Sequence, residues 1–378
     1  MRQLVFWTHL VAGVAAGSIV LVMSATGVLL TYEKQIIAWS DRGYRAAPPS
    51  SDAPRLPLEE LAAGVLALRP HAVITTITVR SDRQAPLTVA LAPSGMVFVN
   101  PYTGEVLGDG NQRVRGFFRA VTDWHRWLAT SGEMRATGRA ITGVANLAFL
   151  VLVVTGTYLW IPRVWSRASV KAVLWFRGGV RGRARDFNWH NTVGVWSVVP
   201  LFVMVISGVV ISYPWATALV YRVTGTEPPA PQQRPAAPNA PGRRPAQTDT
   251  SGLDLMIAVA ATRVPGWQSI AVRVPAPSAH TVTLTLDRGN GTRPDKRATL
   301  VLDRTGRVVR WQPYSSQNGG QKARAWLRYL HTGEAGGVIS QTIAGLASAG
   351  AVVLVYTGLA LAWRRFFGKS SSSRAAAA

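Results

Sequence analysis

Four nearly uncharged blocks, residues 10–30, 140–161, 192–212 and 338–363, constrain this chain more than any other feature. At roughly 1.5 Å of helix rise per residue each covers a ~30 Å hydrocarbon core. No water reaches a backbone there, so every N–H and C=O must be paired within the segment, and the blocks predict four spanning helices. The first block follows Arg2 and so resembles a cleaved leader. The third block repeats it position by position, which favours retention of both.

Orientation follows from Lys and Arg near the block ends. Residues 162–189 carry Arg163, Arg167, Lys171, Arg177, Arg181, Arg183 and Arg185 against Asp186 alone. That loop is expected in the cytoplasm, together with Arg2 and the tail bearing Arg364, Arg365 and Lys369. The expected organisation is a first span over 1–32, an outer unit over 33–138, a second span over 139–161, the basic loop over 162–189 and a third span over 190–213. A second outer unit over 214–336, with a proline-rich linker at 227–250, a fourth span over 337–363 and a tail over 364–378 complete it. Such a chain belongs in a bacterial inner membrane.

The formal net charge of +23 would suggest nucleic acid in a soluble protein. Here topology and anionic lipid account for much of it, and no nucleic-acid partner is expected. Topology does not account for residues 214–336, with 16 Lys/Arg against 7 Asp/Glu. That half presents a positive surface suited to an anionic substrate. There is no cysteine, which excludes disulfides, iron–sulfur clusters, thiolate-bound haem and covalently attached haem. A redox centre would have to use His, Met or carboxylate.

The chain contains an internal repeat. From His9, in Trp7-Thr8-His9, it is four residues to Gly13, 18 to Gly27 and 23 to Tyr32. From His190, in Asn188-Trp189-His190, it is four to Gly194, 18 to Gly208 and 23 to Tyr213. Ile141-Thr142-Gly143 matches Ile343-Ala344-Gly345, and 13 residues after each glycine Gly156 and Gly358 both stand within Thr-Gly. His125 precedes the second block and His331 the fourth. Between the spans, a helical pattern at 58–68 precedes alternating runs at 74–79, 87–91 and 96–99. The second copy has the helix at 253–262 and runs at 270–274, 281–286 and 299–302. Each set reads as a small α+β unit closing in a hairpin that turns at Thr-Gly. Both copies begin on one side, so the repeat is parallel, with its pseudo-two-fold axis along the membrane normal.

His9 and His190 are therefore expected at one depth at the cytoplasmic ends, and His125 and His331 at one depth at the outer ends. Two neutral imidazoles on facing helices saturate haem iron for electron transfer. Gly13 and Gly194, one turn beyond His9 and His190, would leave room for the flat macrocycle. Two readings compete. The histidines could be interfacial, alongside Trp7, Trp124, Trp127 and Trp189, and Met23 and Met204, each 14 residues after a histidine, could be ligands. His71 and His280 have no repeat partner. No dinucleotide, flavin or P-loop fingerprint is present, so electrons would come from another protein or a membrane quinol.

The four spans with histidines at their heads, and the outer unit ending in Asn100-Pro101-Tyr102-Thr103-Gly104-Glu105-Val106, resemble the PepSY-associated transmembrane helix family and, within it, inner-membrane ferrisiderophore reductases. The resemblance implies a membrane α-helical fold with four spans, a parallel two-fold repeat and two small PepSY-like α+β units. It also implies two haem b groups per chain, bound at His9, His190, His125 and His331, and reduction of ferric siderophores in the periplasm by way of a cytoplasmic reductase or membrane quinol. Asp303-Arg304 departs from Pro101-Tyr102 before the second Thr-Gly, so the two outer units need not share one role. Trp311, Tyr314, Lys322, Arg324 and Arg328 are candidate contacts for the chelate, with anchoring of the fourth helix as the other reading of the aromatics. PepSY-type units also suggest a second class of function, binding or regulation of a secreted protease without redox activity.

Overall fold

The computed structural model describes residues 1–93, 95–229, 249–276 and 278–368. Most of the expected linker and the tail beyond 368 lie outside the described residues. The chain opens with α1 (Arg2–Leu30) and the short α2 (Glu33–Ser40), then forms α3 (Leu58–Leu68), β1 (Val73–Arg80), β2 (Leu87–Ala92), β3 (Met96–Val99) and β4 (Val106–Gly108). It continues through α4 (Gln112–Trp127), α5 (Met134–Trp160), α6 (Arg167–Leu174) and α7 (Gly182–Ser212). Then come α8 (Pro214–Val223), α9 (Leu253–Arg263), β5 (Ser269–Arg273), β6 (Thr281–Asp287), β7 (Arg297–Asp303), β8 (Val308–Pro313), α10 (Gly319–His331) and α11 (Gly337–Phe367). Two compact units result: one from residues 1–33, 117–220 and 326 onward, the other from 34–116 and 221–325.

In the first unit α1, α5, α7 and α11 are each long and apolar enough to cross a membrane. Three of them begin well before their apolar blocks, α1 at Arg2, α5 at Met134 and α7 at Gly182. Hydropathy marks only the lipid-facing stretch, whereas backbone pairing carries the helix on into water. The helices form a closed ring: α1 packs on α5 and α11, and α7 packs on the same two. The buried residues on α1 and α11 are mostly small, including Ala16, Gly17 and Ser24 on α1 and Ala344, Ala347, Ser348 and Ala351 on α11. Small residues are what let apolar helices approach closely when burial from water supplies no drive.

Charged residues fasten one end of this ring. Arg2 donates to the carbonyls of Ile161 at 3.1 Å and Leu159 at 2.6 Å, placing a cation on the C-terminus of α5. Asp186, only 1% exposed, pairs with Arg185 at 2.8 Å and with Arg364. The N-terminus, the loop after α5 and the end of α11 therefore share one end of the bundle.

In the second unit all strands join one antiparallel sheet, in the order β4-β3-β2-β1-β5-β6-β7-β8. The two α+β segments expected as separate units are thus continuous. Each segment on its own would leave a bare strand edge, β1 in the first and β5 in the second. Pairing them, with Ile77 opposite Val272 and Val79 opposite Ile270, satisfies both. One face buries Ile74, Ile77, Val89, Ile270, Leu284 and Leu300 against Leu61 and Val65 of α3 and Leu253 and Met256 of α9. Truncating a leucine so enclosed costs about 2–5 kcal/mol. The two helices also cap one another. Asp254 accepts from the Leu58 amide at 2.8 Å, and Glu59 accepts from the Gly252 amide at 2.6 Å. Burial, more than the nearby Glu59, raises the Asp254 carboxyl above its usual range. The hairpins after β3 and β7 turn at Gly104 (φ 74°) and Gly306 (φ 82°), a backbone that favours glycine.

Candidate functional site

The first unit brings four histidines together as two pairs. His9 of α1 and His190 of α7 face each other across the diagonal of the ring, with ring centres 6.3 Å apart and planes at 90°. His125 and His331 form the second pair, 6.4 Å apart at 60°. As the sequence suggests, they precede the second and fourth spans and do not sit on them. His125 ends α4 and His331 ends α10, separate amphipathic helices that precede α5 and α11. Their mixed polarity hid them from a search for apolar blocks.

Each imidazole rests on a hydroxyl-plus-glycine step of a neighbouring helix. Nδ1 of His9 lies 2.9 Å from Thr155 Oγ1, and a Cβ built on Gly156 would meet its Cε1 at 3.1 Å. His190 makes the same contacts with Thr357, at 2.9 Å, and Gly358, at 3.3 Å. In the second pair, His125 is 2.9 Å from Thr26 Oγ1 beside Gly27, and His331 is 3.2 Å from Ser207 Oγ beside Gly208. All four rings are half-buried. Burial, with the charges of His331 and Arg126 added, pushes His125 down to about 4, and burial also lowers His331. Both are therefore neutral at pH 7, the form in which imidazole binds metals.

The pairs can be tested for fit to one metal between two rings. With an imidazole–metal bond of about 2.0–2.1 Å and the ring centre about 1.1 Å behind the nitrogen, two opposed imidazoles on one ion have centres roughly 6.3 Å apart. The observed 6.3 and 6.4 Å match that spacing. Direct van der Waals packing of the rings does not require it. No group of three or more His, Cys, Asp or Glu side chains converges among the described residues. A four-ligand structural ion is therefore a poor fit, whereas a porphyrin, which supplies its own nitrogens, needs two protein ligands. His9 and Thr26 stand 17 residues apart on α1, roughly 25 Å along the helix, so the pairs are separated by most of a hydrocarbon core.

The remaining candidates each have their own surroundings. A Cβ on Gly13 or Gly194 would meet Leu152 or Leu354, both at 3.6 Å, so these glycines are not the ones under the histidine rings. Met204 contributes its carbonyl, 2.8 Å from His331 Nδ1, and Met23 packs against the cluster of Ala16, Val20 and Ala145. Trp311 packs on the sheet core with the Arg263 guanidinium 5.5 Å over its ring. Lys322 lies 5.4 Å over Tyr314. Arg324 and Arg328 are exposed on α10. Beside the second histidine pair, Arg126 and Arg135 flank the Trp127 ring at 4.6 and 3.6 Å. Burial first, then the charges of Arg139, Arg135 and Arg328, hold the Arg126 guanidinium below its ordinary range.

Thr26, Thr155, Ser207 and Thr357 are the functional candidates that sequence reasoning missed. Their signal was present as four Ser/Thr-Gly dipeptides at matching offsets, of which those at Thr155 and Thr357 served only as markers of the repeat. No curated protein matches the chain. The family model of the PepSY-associated TM region, in contrast, matches residues 6–365 and so takes in the whole helical ring, both histidine pairs and the sheet; the chain belongs to the PepSY-associated transmembrane family.

Proposed function

We propose that this protein is a two-haem b-type electron conduit of the bacterial inner membrane that reduces ferric siderophores on the periplasmic side, releasing Fe(II) from ligands built for Fe(III). The observation that carries the reading is the pair of facing imidazoles at each end of the ring, spaced as two ligands of one metal. His9 with His190, and His125 with His331, would hold the two groups. A haem held between two imidazoles would supply reversible one-electron transfer. The chain's own residues do the rest. The four Thr/Ser hydroxyls orient the rings, the apolar faces of α1, α5, α7 and α11 keep water away, and Arg126, Arg135, Arg139 and Arg328 gather positive charge beside the outer pair. The basic loop between α5 and α7 argues for cytoplasmic termini, with a cytoplasmic reductase or membrane quinol as donor.

Protein purified in detergent from haem-replete cells is expected to carry non-covalent haem at about two per chain, with the split spectrum of six-coordinate low-spin iron. A folded, colourless preparation overturns the reading and leaves protease binding or regulation as the function to pursue.

The glycines offer a second check. Gly156→Val and Gly358→Val push a branched side chain into space already held at 3.1 and 3.3 Å by His9 and His190. Each variant is expected to lose the cytoplasmic-side haem while keeping the other, by haem quantification. Retention of both would place the cofactor away from these rings.

A further inference from the structure

Each imidazole has two nitrogens and, when neutral, one proton, so its ability to bind a metal through Nε2 depends on where that proton sits. At all four histidines the surroundings decide this in the same direction. A backbone carbonyl only accepts, and Nδ1 of His331 lies 2.8 Å from the Met204 carbonyl.

The hydroxyls act in concert. Each has one proton, and each is within donating reach of its own helix: Thr26 to Val22 at 2.6 Å, Thr155 to Val151 at 2.6 Å, Thr357 to Val353 at 2.7 Å and Ser207 to Met204 at 2.8 Å. With that proton spent on a carbonyl, the oxygen presents only lone pairs to the ring and must accept from Nδ1–H. The adjoining glycine lets the ring lie close enough for the bond to form.

We propose that Thr26, Thr155, Ser207 and Thr357 are positioning residues that lock the four imidazoles with the proton on Nδ1, so that every Nε2 presents its lone pair to a metal. The identity of that metal group rests on the haem reading; the lock itself does not. Three sites have the hydroxyl at 2.9 Å and depend on it most. At the fourth the Met204 carbonyl is nearer than Ser207, 2.8 against 3.2 Å, so Ser207 matters least.

The test uses full-length protein labelled with ¹⁵N at histidine, as purified and after haem extraction, in which nitrogen shifts report the tautomer directly. Wild-type His9, His125, His190 and His331 are expected with Nδ1 protonated. Thr357→Val, which preserves shape, should shift His190 toward a mixture of tautomers and weaken haem retention about 10–100-fold, the usual effect of losing an outer partner of a metal ligand. Thr357→Ser should restore both, and Ser207→Ala should have the smallest effect of the four sites. A proton on Nε2 in the wild type, or an unchanged His190 in Thr357→Val, overturns the proposal. Nδ1-protonated rings in a protein that never takes up haem would uphold the lock and sink the haem reading instead.

Discussion

Replacing His9 with alanine is expected to remove one haem of two, and replacing His190 is expected to remove that same haem. Their rings face each other 6.3 Å apart, so either substitution leaves one iron with a single protein ligand. His125→Ala and His331→Ala should together define the second haem in the same way. Each single variant should lose close to half of the low-spin absorbance, and the double variant within a pair should lose no more than either single. The double variant across pairs, His9→Ala with His125→Ala, should be colourless. If His9→Ala and His190→Ala instead deplete spectroscopically different haems, the two rings do not share an ion. The spacing would then reflect helix packing alone.

The second large effect concerns the acceptor. Protein reduced with dithionite and freed of excess reductant is expected to be reoxidised by ferric siderophore, each Fe(III) taking one electron and leaving its chelate as Fe(II). Without His125 and His331 that reoxidation should fall to the rate of buffer alone, while the cytoplasmic-side haem remains reducible. Arg126 and Arg328 stand beside the outer pair, so an anionic chelate should react more slowly as salt rises. Attraction between exposed charges fades as the Debye length falls from about 30 Å at 0.01 M to about 10 Å at 0.1 M. Unchanged reoxidation in the outer-pair variant would put the acceptor site elsewhere and refute the ferrisiderophore reading even with both haems present.

The parts of the molecule legible in the sequence are those governed by periodicity. Apolar blocks mark α1, α5, α7 and α11 because lipid admits no other pattern, and alternation marks β1 to β3 and β5 to β7 because one face is buried. The pairing of His9 with His190 was legible through equal offsets to repeated glycines, and that of His125 with His331 through their shared place ahead of α5 and α11. What escaped depends on which surfaces meet. The β1–β5 seam joins strands that are far apart in the chain, and no local pattern announces such a partner. α4 and α10 escaped as carriers of the outer histidines because their arginines and tryptophans read as loop or interface. The hydroxyl seats escaped because threonine inside an apolar helix ordinarily bonds to its own backbone. Here it does that and also holds a ring on the neighbouring helix.

The seam between β1 and β5 sets a condition on how the protein is made. β1 can pair with β2 as soon as both exist, but its other edge waits for residues 269–273, which are synthesised only after α5 and α7. Throughout that interval the first half of the sheet carries Ile77 and Val79 on an open edge, the arrangement most prone to capture by a stray strand. Pairing across so long a stretch of chain is also slow. Production of the two halves as separate polypeptides would make closure of this edge depend on their encounter, whereas one chain keeps β5 tethered to the strand it must cover.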